Sequence, residues 1–247
     1  MVHLSIKKCI CSSACAVLLV IMALVTSATL GTSASAAVVS TGSVLRSTKA
    51  AIAVQTSVHV VFVARSRASS TTEKIIADVG TTSGSETLFE GKADLAIRVT
   101  PAHAYVTGNS SGLTKLFGLS APQAKKLGTA WESWNAGTSQ YSNLKADLTM
   151  SSVTALLPKA KGTKVSTKTT NGVKLFELQW TIAPTSSMPQ LSNRLTVSAQ
   201  GDYLPVEEVA TASGGVRVTT TLSKWGEDFR VSAPPAASTI ASPEISG

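Results

Sequence analysis

The chain has 247 residues, of which 43% are apolar, 15% charged and 5% aromatic, and its 22 basic and 14 acidic side chains give a formal charge of +8. So many apolar residues with so modest a charge exclude a highly charged disordered protein, and one long apolar run excludes a polytopic membrane protein. Three cysteines and three histidines leave no material for a disulfide scaffold or a zinc cluster.

At the N-terminus, Lys7 and Lys8 precede an apolar stretch from Ala14 to Leu30 that ends in Ala34-Ser35-Ala36. A positive start, an apolar run and a small-x-small site predict a signal peptide over residues 1–36, cut before Ala37. The alternative is an uncleaved anchor, although about 17 residues fall short of the roughly 20 that a spanning helix needs. Either way the expected location is extracytoplasmic, secreted or in the cell envelope. Cleavage leaves 211 residues with a charge of +6 and removes Cys9, Cys11 and Cys15. Cys15 lies before the apolar run and not at its far end, so no lipid attachment is expected there.

Residues Val44 to Gln55 read as an amphipathic helix capped by Ser43. The period then changes to two. Val58, Val60 and Phe62 alternate with His59, Val61 and Val63, which predicts a strand buried on both faces. Further strands are expected over 75–80, 87–90, 93–99 and 103–107. From 112 to 157 the leucines recur at spacings of three and four, predicting three short helices, one of them opened by Ser120 and Pro122. Trp131 to Trp134 between them reads as extended. Strands return over 173–182, 194–199, 203–211, 216–222 and 229–232, with Asn171-Gly172, Gly201-Asp202 and Gly214-Gly215 as turns. Residues 234–247 are rich in Pro, Ala and Ser and read as a disordered tail after a domain spanning 37–233. The order of elements predicts an α+β fold, a single strongly curved antiparallel sheet (an open half-barrel) with helices covering the concave face.

Several segments, in order, carry a resemblance. They are Ser57-Val58-His59-Val60, then Gly91 to Leu95 leading to Ala104 through Asn109, then Gly128 to Trp131 before Tyr141. Gly201 to Val206, Lys224-Trp225-Gly226 and Val231 to Pro234 follow. Together they cover roughly residues 44 to 235 and resemble the actinobacterial LppX/LprAFG group of envelope proteins, which share the LolA/LolB-like open barrel. The group's lipidated cysteine is missing here. The resemblance implies a concave face that holds the acyl chains of a lipid or acylated glycolipid without catalysis. The implied lining is Val60, Phe62, Leu95, Ile97, Tyr105, Leu116, Phe117, Trp131, Trp134, Leu148, Phe176 and Trp180. Ordinary core packing is the competing assignment for each of them. A carrier further requires a continuous apolar cavity of several hundred Å³.

Little else points to chemistry. Past residue 36 only His59 and His103 remain, and no nucleophile elbow, zinc-protease motif or phosphate loop occurs. No catalytic residue, metal or cofactor is assigned. Glu207-Glu208 and Glu227-Asp228 read as solvated charges. The basic run Lys159, Lys161, Lys164 and Lys168, followed by Lys174, reads either as a solvated hairpin or as a contact for anionic headgroups at a membrane surface. Nucleic acid is not an expected partner. The first function is therefore lipid binding or transfer. The second is a protein-interaction or sensory module of the envelope built on the same sheet, and a hydrolase comes third.

Overall fold

The computed structural model describes residues 39–185 and 189–242. The expected signal peptide and the last five residues lie outside the described residues.

Helix α1 (Thr41–Ala53) is capped by Ser40, whose hydroxyl accepts from the Ser43 N–H at 3.1 Å. Ser43, the expected cap, instead turns its hydroxyl back to donate to the Ser40 carbonyl at 2.7 Å. The helix buries Val44, Thr48 and Ile52, a stripe at four-residue spacing.

Five strands follow as successive hairpins: β1 (Ser57–Ser66), β2 (Ser69–Gly80), β3 (Gly84–Glu90), β4 (Ala93–Val99) and β5 (His103–Gly108). Val58, Val60, Phe62 and Ala64 of β1 are buried, whereas His59, Val61 and Val63 are only half-buried. The expectation of a strand buried on both faces therefore holds for one face. A π-helical turn (Gly112–Phe117) comes next, then α2 (Ala121–Leu127), β6 (Trp131–Asn135), α3 (Ser139–Asp147) and α4 (Met150–Thr154). Ser120 caps α2 with Pro122 in its first turn, as its sequence predicts, and the structure adds a complete capping box with Gln123. The π turn is fixed by Asn109, whose side chain accepts from the Gly112 N–H and donates to the Lys92 carbonyl, both at 2.7 Å. Gly112 sits so close to β4 that a Cβ there would lie 1.7 Å from the Asp94 carbonyl oxygen.

The chain returns as β7 (Lys164–Thr170), β8 (Val173–Ile182), β9 (Leu191–Ser198), β10 (Pro205–Ala212) and β11 (Val216–Ser223), and ends in β12 (Thr239–Ala241). Asn171 and Gly172, with φ of 51° and 77°, form the expected tight turn between β7 and β8. Among the described residues all twelve strands form one sheet, in the order β12-β6-β5-β4-β3-β2-β1-β11-β10-β9-β8-β7. Every pairing is antiparallel except β12 with β6. The sheet does not close, and with its few helices it is an open curved α+β arrangement.

Three differences from the sequence expectation have physical causes. β7 was hidden because it is an edge strand, exposed along almost its whole length, so no apolar alternation marks it. Residues 229–232 form no strand. Part of the expected disordered tail is ordered, because residues 239–241 add a parallel strand to β6 and cover an edge that would otherwise be open.

Candidate functional site: the concave face

Strand register divides the concave face into two parts. On β1 to β5 the inward residues join the π turn and α2–α4 in one apolar cluster that includes Val60, Phe62, Leu95, Ile97, Leu116 and Leu148. Each of these six is at most 4% exposed. They are packed against their own chain, so the competing assignment, core, is where the structure places them. Phe117 and Trp134 pack on the rim of that cluster with ring centroids 5.5 Å apart.

A second cluster joins Val44 of α1 to Phe176, Leu178, Leu195 and Val197 of β8 and β9. Trp180 and Tyr203 pack against it half-buried, Tyr203 stacked on Phe176 at 5.8 Å and 19°.

Two residues of the implied lining cannot serve on this face. Val106 pairs with Glu132, and Val106 is fully buried on the concave side, so strand alternation turns Tyr105 and Trp131 outward. Trp131 carries the Arg98 guanidinium 4.7 Å above its ring, and Arg98 also donates to the Ser232 carbonyl at 3.3 Å. These two are corrected to a structural cluster on the convex face, where Tyr105 lies beside His103.

Between the two clusters run β10 and β11, and their inward residues Ala210 and Val218 stay half-buried. Here the register holds a carboxyl that sequence reasoning left in solvent. Glu208 lies opposite Leu195 on one side and Thr220 on the other, and Thr220 lies opposite Phe62. The whole row faces inward. A β-bulge near Val206 is responsible: the pairing shifts between Pro205 and Glu207, which turns Glu207 outward and Glu208 inward. Burial pushes the Glu208 carboxyl up to about 7. Thr220 beside it is 1% exposed.

Other candidates resolve simply. His59 Nδ1 and Asp78 Oδ1 are 2.8 Å apart on the convex face, a pairing of neighbouring strands. Lys164 and Lys168 lie on β7 and Lys159 and Lys161 in the loop before it, all four exposed. Among the described residues no group of His, Cys, Asp and Glu has the arrangement of a metal site, and no helix is long and apolar enough to cross a membrane.

No family model and no curated protein matches the chain. Solved structures do resemble it. The Mycobacterium tuberculosis lipoprotein LppX is 19% identical over 77% of this chain and 99% of its own, with a TM-score of 0.46. LprF from Mycobacterium bovis is 16% identical over 78% and 96%, with a TM-score of 0.49. The Pseudomonas aeruginosa MucA/MucB complex gives 12% identity over 83% of this chain and 60% of the matched one, at a TM-score of 0.33. At such identities and TM-scores these likenesses assign this chain no ligand, activity or partner.

Proposed function

We propose that this chain is an exported, non-enzymatic carrier that seats an acyl chain of a lipid or acylated glycolipid on the concave face between its two apolar clusters. The observation that carries the proposal is the row of inward residues on β8 to β11. Ala210 and Val218 of β10 and β11 stay half-buried there, as does Trp180 of β8, with the buried Asn193 of β9 between Trp180 and Ala210. The three inter-strand spacings from β9 across β10 and β11 to β1, at 4.7–4.9 Å each, give a trough about 14 Å across, room for part of one acyl chain. Each buried methylene contributes about 0.8 kcal/mol, so binding needs no reactive residue. Glu208 and Thr220 in the adjoining row, and the buried Asn193 between Trp180 and Ala210, supply hydrogen-bonding atoms suited to the ester or hydroxyl of a lipid head.

The test is uptake of a fluorescent fatty acid by the wild type and by Val218→Trp, with circular dichroism as the check on folding. Uptake is expected for the wild type and should fall at least roughly tenfold when the indole fills the trough. A wild type that takes up nothing, or a folded variant that binds as well, removes the carrier. The close packing under β1–β5 favours the second reading, an envelope protein-interaction module, and failed uptake would transfer the case to it.

A further inference from the structure

A second feature is built chiefly on the convex face, and one of its clefts reaches Trp180 at the edge of the trough. Arg65 of β1 lies directly opposite Arg217 of β11. Their neighbours Ala64 and Val218, also paired, point inward, so both arginines point outward. Side chains so opposed stand about 5 Å apart at Cβ, and like charges in that position destabilise a sheet. A third arginine joins them at the Gly214-Gly215 turn. There the Arg67 N–H donates to the Gly215 carbonyl at 3.4 Å, and a Cβ on Gly215 would meet the Arg67 side chain at 2.9 Å.

Carboxylates do not offset this cluster. Glu177 and Glu207 both lie within ion-pair distance of Arg194, at 3.6 and 3.5 Å. Among the described residues none pairs with Arg65, Arg67, Arg217 or Lys164. Even so engaged, Arg194 keeps a buried Nε without a hydrogen-bond partner.

These cations surround two adjoining clefts. One, of about 500 Å³, is lined by Arg65, Ser66, Arg67 and Arg217. The other, of about 490 Å³, is lined by Lys164, Ser192, Arg194 and again Arg217. Thr211 borders both. Guanidinium forks backed by hydroxyls match the oxygens of a phosphate group, and volumes of several hundred Å³ suit a ligand larger than a bare ion.

We propose that this double cleft binds a phosphate ester, either a phosphorylated lipid headgroup or a soluble phosphate ester of similar size, whose charge relieves the repulsion between Arg65 and Arg217. The test uses the full chain, with sn-glycerol 3-phosphate followed by calorimetry and with vesicles of phosphatidylglycerol or phosphatidylcholine followed by co-sedimentation. The wild type should bind at least one anionic probe, and the Arg65→Gln/Arg217→Gln variant should bind it roughly tenfold or more weakly, the scale of lost charge-assisted hydrogen bonds. Preference for glycerol phosphate identifies a soluble ester; preference for phosphatidylglycerol vesicles identifies a headgroup. Without anion, the double variant should melt at the same temperature as the wild type or higher. Failure of both probes to bind overturns the proposal. So does an equal loss of binding in Lys92→Gln/Lys125→Gln, which removes the same charge from exposed positions that line neither cleft, or a clear drop in the melting temperature of the arginine variant without anion.

Discussion

Replacing Glu208 by glutamine isolates the cost of holding a carboxyl on the concave face. Glutamine keeps the shape and cannot ionise. In the folded chain burial holds this carboxyl near 7, against an ordinary value of 4.5. Below about pH 4.5 the group is protonated in both folded and unfolded chains, and its effect on stability is nil relative to the neutral amide. As the pH rises through about 7 the unfolded chain has already released the proton, and the folded chain must either retain it or ionise in a poor solvent. The wild type therefore loses stability across this window, and the loss is complete above it. At about 1.4 kcal/mol per tenfold change in proton affinity, the difference between 4.5 and 7 amounts to about 3 kcal/mol. Glu208 retains some solvent contact, which lowers the expected figure to about 2 kcal/mol. Urea unfolding of both proteins at about pH 4.5 and about pH 8 measures it: the curves should lie close together at the lower pH, with Glu208→Gln the more stable by about 2 kcal/mol at the higher. Equal stability at both values, or a less stable variant at the higher pH, refutes the inward placement of this side chain.

Three further outcomes test the framework around the trough. Leu178 is fully buried in the second cluster, and Leu178→Ala should cost about 2–5 kcal/mol in denaturant unfolding, with a cost below about 1 kcal/mol contradicting its place in a packed cluster. Gly112→Ala forces a methyl to within 1.7 Å of the Asp94 carbonyl oxygen, so the π turn must leave β4 and stability should fall by more than about 3 kcal/mol; a melting temperature like that of the wild type would count against the contact. Truncation after Ala233 strips β12 from β6 and opens that edge, so light scattering should detect association that the intact chain does not show, and a monodisperse monomer would deny β12 its covering role.

The amino-acid pattern made the fold legible wherever one face of an element is apolar. The alternation in β4, the Ser120 cap of α2 and the Asn171-Gly172 turn all reappear in the structure because local chemistry dictates them. Elements that depend on long-range pairing stayed hidden. β7 has no apolar face of its own, and β12 exists because β6 offers an open edge more than a hundred residues earlier in the chain. The site was legible by residue type but not by direction. Tyr105 and Trp131 have the right chemistry for a lining, yet the parity of β5 and β6 turns them outward. Glu208 follows the same logic in reverse, since two adjacent glutamates look equivalent until a bulge decides which one enters the core face. The arginine cluster escaped notice because Arg65, Arg194 and Arg217 are scattered along the chain and meet only through the order of β1, β11, β10 and β9.

Native mass spectrometry of the full chain purified from its own host tests the carrier most directly. The proposed function predicts a second mass series, heavier by one lipid or acylated glycolipid, that collapses to the bare protein on collisional activation and is lost in Val218→Trp. A single lipid-free series for the wild type, unchanged after incubation with the host's extracted lipids, would contradict it.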